Sequence, residues 1–181
     1  MQFNSYEFIF IFLPLTVIFY YLANKAAPLA GKLVMIASGL IFYSYGRTNV
    51  LIYMAMSILI NYCFAMVIRR LGPEDKQIHQ ILALAVIVNV VPLLYFKYLG
   101  FVITNSNTFA DLKNSRPEIM LPLGISFYTF QQIAYIVAVE KGSLENISLI
   151  DYLAYILYFP KILMGPITDP ADYISQLNQA L

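Results

Sequence analysis

The sequence predicts an all-α polytopic membrane protein with about six transmembrane helices, one or two of them broken by proline and glycine. Three observations predict it. The 181 residues are 60% hydrophobic and only 12% charged. The apolar residues gather in runs long enough to cross a bilayer, separated by short charged breaks, which a soluble core would not require. Prolines lie inside several of these runs, as membrane spans tolerate when neighbours satisfy the freed carbonyl. The formal net charge of +1 offers no basic surface for nucleic acid. The single cysteine, Cys63, excludes an intrachain disulfide framework or a cysteine-clustered zinc site and reads as a small buried hydrophobe.

Residues 1–181 read as one membrane region with no soluble domain and no internal repeat. No basic residue precedes the first apolar run and no small-residue cleavage site follows it, so it reads as a retained span, 5–22. Asn4 with Glu7 three residues on resembles a helix cap, and Pro14 is expected to kink the span. Lys25, Pro28 and Lys32 mark the first loop. The second span, 31–45, is short and ends in aromatics followed by Gly46 and Arg47. Thr48 and Asn49 cap the third span, 49–68, and Arg69 and Arg70 begin a charged break. The fourth span, 78–96, contains Pro92 and ends at Tyr95-Phe96-Lys97-Tyr98, a sequence suited to headgroup level. The polar stretch from Thr104 to Glu118 reads as the longest extramembrane loop.

The fifth span, 121–139, opens at Pro122, where a missing amide costs a helix nothing. Ser126, Thr129 and Gln132 then follow at helical spacing, with Tyr128, Gln131 and Tyr135 on the adjoining face. Hydrocarbon offers these groups no partner, so the stripe must face other helices or a wet cavity. Interhelical hydrogen bonding and a functional cavity wall are both consistent with it, and periodicity does not separate them. Ser148 with Asp151 caps the sixth span, 148–165, where Pro160, Gly165 and Pro166 imply a broken or re-entrant helix. Asp169 then opens an amphipathic helix, 170–181, with Tyr173, Leu177 and Leu181 along one face, able to lie flat in the interface. Lysine and arginine are somewhat richer on one set of loops, which places the N-terminus outside.

The stretch Leu121-Pro122-Leu123-Gly124-Ile125-Ser126-Phe127-Tyr128-Thr129-Phe130-Gln131 resembles the signature of the membrane-bound O-acyltransferase family, in the bacterial branch that includes alginate O-acetylation and teichoic-acid D-alanylation proteins. Phe3-Asn4-Ser5-Tyr6-Glu7-Phe8, Ser57 through Tyr62, Tyr95 through Tyr98, and Tyr158-Phe159-Pro160 with Gly165-Pro166-Ile167 resemble further family segments, in family order. Members are longer, with about eleven spans and a key histidine far downstream, so the resemblance implies the N-terminal portion of a larger helical membrane fold. It also shows departures: Ala138 where an acidic residue is common, Glu140-Lys141 in place of a Tyr-Arg pair, and Lys161 in place of glutamine.

The resemblance implies transfer of an acetyl or D-alanyl group to a hydroxyl of a cell-envelope or exported polysaccharide. No catalytic residue is expected in this chain; its only histidine, His79, lies at a polar helix start and carries no role over. The residues expected to wall the acyl channel are Ser126, Tyr128, Gln131, Gln132, Pro160, Gly165 and Pro166. No metal or tightly bound cofactor is implied, and the acyl donor would be an acyl-CoA or an acyl carrier protein. Expected partners are the lipid bilayer of the cytoplasmic membrane, an acyl-carrier donor and an extracytoplasmic acyltransferase, with no nucleic acid. The isolated chain is expected to be inactive. The alternative is a non-catalytic, truncated or scaffolding membrane protein; a small transporter is disfavoured because no inverted repeat or intramembrane acid–base pair is visible.

Overall fold

The computed structural model describes residues 3–45, 49–72, 75–105, 124–144, 148–162 and 168–179, and among these every regular element is helical. A π-helical turn, Phe8–Phe12, leads into α1, Leu13–Ala26. There follow α2 (Pro28–Ser44), α3 (Asn49–Leu71), α4 (Gln77–Asn105), α5 (Ile125–Glu140), α6 (Leu149–Ile156), α7 (Phe159–Ile162) and α8 (Pro170–Gln179).

The N-terminal cap is Ser5 and not Asn4: the Phe8 amide donates to Ser5 Oγ at 3.2 Å, and Asn4 is exposed. Pro14 sits in the first turn of the regular α1 helix, directly behind the π-turn. A wider turn ahead of a proline accommodates the ring, which would otherwise crowd the carbonyl four residues back. A change of helix type thus accompanies the proline. The first loop is also shorter than expected. Ala27 alone is extended (φ −162°, ψ 139°), and α2 begins at Pro28, whose fixed φ and missing donor suit a first helical position. Lys32 therefore lies inside α2. Helix α4 continues beyond Tyr98 to Asn105, so the tyrosine–lysine cluster does not end it, and Pro92 is carried within it.

Among the described residues, three stretches are long and apolar enough to cross a bilayer: Phe8–Ala26, Leu51–Leu71 and Gln77–Tyr98. Only 6%, 28% and 22% of their apolar windows are buried, respectively, so most of that surface points away from the protein. Pro28–Ser44 is a shorter apolar helix. Cys63 belongs to the outward surface of α3, which corrects the expectation that it is buried. Lipid is as apolar as a core, so a small hydrophobe has no preference between them.

Helix α5 lies at the centre, packed against α3, α4, α6 and α8. On the far side, α2 packs against α3, α6 and α7, while α1 packs chiefly on α2. Phe3, Phe8, Phe12, Phe42 and Phe159 form one aromatic cluster with ring centroids 4.9 to 6.2 Å apart, tying the N-terminal turn to α2 and α7. The closest approach of backbones is at Gly39 in α2, where a Cβ would overlap the Leu157 carbonyl oxygen at the end of α6. Only glycine lets these two helices meet there.

Ser148 caps α6 by accepting from the Asp151 amide at 3.5 Å. The helix stops at Ile156, the chain breaks at Leu157 and Tyr158, and α7 restarts with Pro160 in its first turn. Asp169 Oδ1 accepts from the Ala171 amide at 2.8 Å to open α8. Ile174 and Leu177 are the buried face of α8, and they pack on α5 and α6. Ile174 and Leu177 are thus buried against protein, while Tyr173 lines a crevice beside α1; Leu181 lies outside the described residues.

Candidate functional site

Helix α5 begins at Ile125, behind Gly124 at φ 69°, a left-handed conformation that glycine adopts without strain. The Leu121–Leu123 part of the signature lies outside the described residues. At its other end, Ser143 N–H donates to Ala138 O at 3.0 Å and Gly142 N–H to Val139 O at 3.1 Å. These paired bonds close the helix without using a side chain.

Between these ends α5 buries Gln131 and Gln132, at 2% and 0% exposure. Gln132 Oε1 accepts from Ser57 Oγ at 2.8 Å and from Asn61 Nδ2 at 2.9 Å, both on α3. Asn61 in turn is joined to Asn89 on α4, whose Nδ2 donates to Asn61 Oδ1 at 2.6 Å, with Asn61 Nδ2 also 3.1 Å from Asn89 Oδ1. Each asparagine further donates to the carbonyl one turn back in its own helix, Asn61 to Ser57 and Asn89 to Ala85, both at 2.8 Å. Three helices are therefore held in register by amides within an otherwise apolar seam. The network contains amides and one hydroxyl, so it orients α5 and donates hydrogen bonds but has no group that takes up a proton near neutral pH.

The adjoining face of α5 meets tyrosines. Tyr135 lies 4.5 Å from Tyr152 and 6.2 Å from Tyr155, ring centre to ring centre, and Tyr152 is 5.7 Å from Tyr62. Gln131 Oε1 and the hydroxyls of Tyr43 and Tyr135 are buried with no hydrogen-bond partner, and Gln132 Nε2 lies against the Tyr152 hydroxyl. Unmet capacity of this kind is costly in a dry interior.

The expected wall residues fall into three groups. Tyr128, Gln131 and Gln132 are buried on α5, while Ser126 is partly buried near its start. Pro160 is exposed and lines a crevice of about 390 Å³ beside α1. Gly165 and Pro166 lie outside the described residues. Neither this crevice nor a second one of about 500 Å³ between α1 and α2 is lined by Ser126, Tyr128, Gln131 or Gln132.

Two lysines that composition left unexplained are paired. Lys32 Nζ donates to Asp151 Oδ1 and to Asn178 Oδ1, each at 2.6 Å, joining α2, α6 and α8. Lys161 Nζ donates to Thr168 Oγ1 at 2.7 Å and stands 3.9 Å from the Tyr173 ring centre and 5.5 Å from that of Tyr158. An ammonium between two aromatic faces is satisfied where it lies. Burial, with Tyr158 nearby, pushes the Tyr173 phenol up, so it remains a neutral donor, 3.4 Å from the Ala154 carbonyl. His79 is exposed at the start of α4, and no group of three histidine, cysteine, aspartate or glutamate side chains able to hold a metal occurs among the described residues.

Sequence reasoning passed over Ser57, Asn61 and Asn89 as network partners. The signal was present, because an amide inside an otherwise apolar span is expensive unless it meets another polar group. What was missing was which spans face each other.

Comparison with known proteins gives the chain a set of relatives. It is 32% identical to the probable alginate O-acetylase AlgI of Pseudomonas aeruginosa, over 98% of this chain and 35% of that protein. The Azotobacter vinelandii protein of the same name is likewise 32% identical, over 98% of this chain and 36% of its own length. The peptidoglycan O-acetyltransferase of Helicobacter pylori is 31% identical, over 98% and 39%. The chain thus spans about a third of the length of these relatives. No family model and no solved structure matches it. The similarity runs along 98% of the chain, consistent with the N-terminal portion of a membrane-bound O-acyltransferase.

Proposed function

We propose that this chain is the N-terminal portion of an O-acyltransferase of the cytoplasmic membrane that moves an acyl group, acetyl by analogy with its relatives, onto a hydroxyl of a cell-envelope or exported polysaccharide. The observation that carries this reading is similarity to named O-acetylases along 98% of the chain. In this reading the chain crosses the bilayer six times with its N-terminus outside. The α5 helix and the interrupted α6–α7 pair are inner spans, covered on their remaining sides by the rest of the protein. An acyl-carrier donor and an extracytoplasmic acyltransferase would be the partners.

Acyl transfer to a hydroxyl needs a base for the hydroxyl proton and donors for the charge that develops on the carbonyl oxygen. The base is assigned to the downstream histidine of the family. The donors are assigned to α5: the Tyr135 hydroxyl, buried with unused hydrogen-bonding capacity, and Gln132 Nε2, which lies against the Tyr152 hydroxyl. Gln132 has two roles in this scheme, because its other end is held by Ser57 and Asn61. Ser126, Tyr128 and Gln131 would complete that wall, with Pro160, Gly165 and Pro166 framing the break in the sixth span.

The test is transfer of radiolabelled acetyl groups into polysaccharide by membranes carrying residues 1–181 alone or a longer form with the family's downstream histidine helix. Activity is expected in the longer form only, with Tyr135→Phe lowering its kcat/KM about ten-fold, the loss of roughly one positioned hydrogen bond. Turnover by residues 1–181 alone would overturn the assignment of the base. A second reading, a non-catalytic scaffold, is favoured by the amide network, which lacks any base; an inactive longer form would establish it.

A further inference from the structure

The crevice of about 390 Å³ beside α1 has a graded lining that the transfer reading does not use. Its floor is mostly apolar, formed by Leu13 and Val17 of α1, Met35 of α2, and Phe159, with the hydroxyls of Thr16 and Ser38 among them, the latter donating to the Met35 carbonyl. Its other end is ringed by Tyr20, Tyr21, Tyr158 and Tyr173 with Gln176 of α8. From Leu13 to Tyr21 the groove follows α1 for about 12 Å at the rise of an α-helix. The tyrosine end lies toward the turn at Ala27, and Tyr21 shares its helix face with Lys25, four residues on and exposed. Behind the tyrosines, Lys161 is held over the Tyr158 and Tyr173 rings. No aspartate or glutamate lines the crevice. Its open side is lined by α1, a helix with no buried residue, so no protein fills it from that side among the described residues.

An apolar groove that ends in hydroxyls with positive charge at the mouth matches one kind of molecule: an amphiphile with an alkyl chain and an anionic head. We propose that the crevice between α1, α2, α7 and α8 is a binding site for one phospholipid with an anionic headgroup. One acyl chain lies between Leu13 and Met35, and the phosphate sits at the tyrosine ring under Lys25. Tyrosines at headgroup level donate to phosphate oxygens while their rings stay in the apolar boundary, and a lysine beside the head favours anionic over zwitterionic lipid.

Native mass spectrometry of the purified chain, with dioleoylphosphatidylglycerol or dioleoylphosphatidylcholine added, tests this. One retained phosphatidylglycerol adduct is expected, favoured over phosphatidylcholine by about five-fold, the effect of a single lysine at an anionic surface. Lys25→Gln is expected to bring the two lipids to near parity. Val17→Trp fills the groove from an exposed position and is expected to abolish the adduct. Ile18→Trp, equally exposed on α1 but outside the crevice, is expected to keep it, which separates occlusion from misfolding. Multiple adducts of both lipids at equal abundance, or an adduct that survives Val17→Trp, would overturn the site. So would loss of the adduct in Ile18→Trp as well as in Val17→Trp.

Discussion

Helices α1 and α5 are both rich in apolar residues, yet they are used in opposite ways. Helix α1 buries none of its residues and leaves Ile18, Phe19, Tyr21 and Leu22 more than half exposed. Helix α5 buries nine of its sixteen residues, and two of the nine are glutamines. In water the more apolar helix would be inside. In a bilayer, lipid competes equally for leucine and phenylalanine, so apolar surface gives a helix no reason to be buried, whereas an amide or hydroxyl has every reason to meet another helix. The polar residues mark the interior here, and the plain apolar ones mark the rim.

That contrast can be broken most severely at the seam that lets the body close. Gly39→Leu drives a side chain into the Leu157 carbonyl. It is expected to cost about 3 kcal/mol, lowering the thermal midpoint in detergent by roughly 6–12 °C. An unchanged midpoint would show that α2 and α6 do not meet at this residue. Asn61→Leu comes next. It strands Asn89 and weakens the hold on Gln132, at a cost of about 1–2 kcal/mol and roughly 3–6 °C. Asn61→Leu with Asn89→Leu is expected to cost less than the sum of the single changes, since both halves of one pair leave together; strict additivity would mean the two amides are not coupled. The smallest effect belongs to the rim. Ile18→Ala on α1 should alter stability by less than about 0.5 kcal/mol, and a loss comparable to that of Asn61→Leu would show that this face is covered by protein.

Much of this arrangement was legible beforehand because it depends on local chemistry. Ser148 with Asp151 and Asp169 ahead of Pro170 were read as helix starts, and both cap as expected. The break in the sixth apolar run falls beside Pro160, where a residue without a donor interrupts a helix. Other local details were misassigned. Ser5 displaced Asn4 as a cap by one position, Pro28 opened a helix instead of occupying a loop, and the α4 helix ran through its interfacial aromatics. In the first case two neighbouring residues offered the same chemistry.

The membrane character, the helical class and the family follow from the sequence alone, because composition decides the solvent and a contiguous motif decides kinship. Which of the polar residues find one another was decided only in three dimensions. Ser57, Asn61, Asn89 and Gln132 are spread over three helices, and Lys32, Asp151 and Asn178 over three, with separations of 28 to 146 residues along the chain for the contacts that join helices. Helical periodicity says which side of its own helix a group occupies, but it does not say which other helix that side faces. That pairing depends on the rotation and tilt of every span at once, and here it was set by Gly39 and the amides.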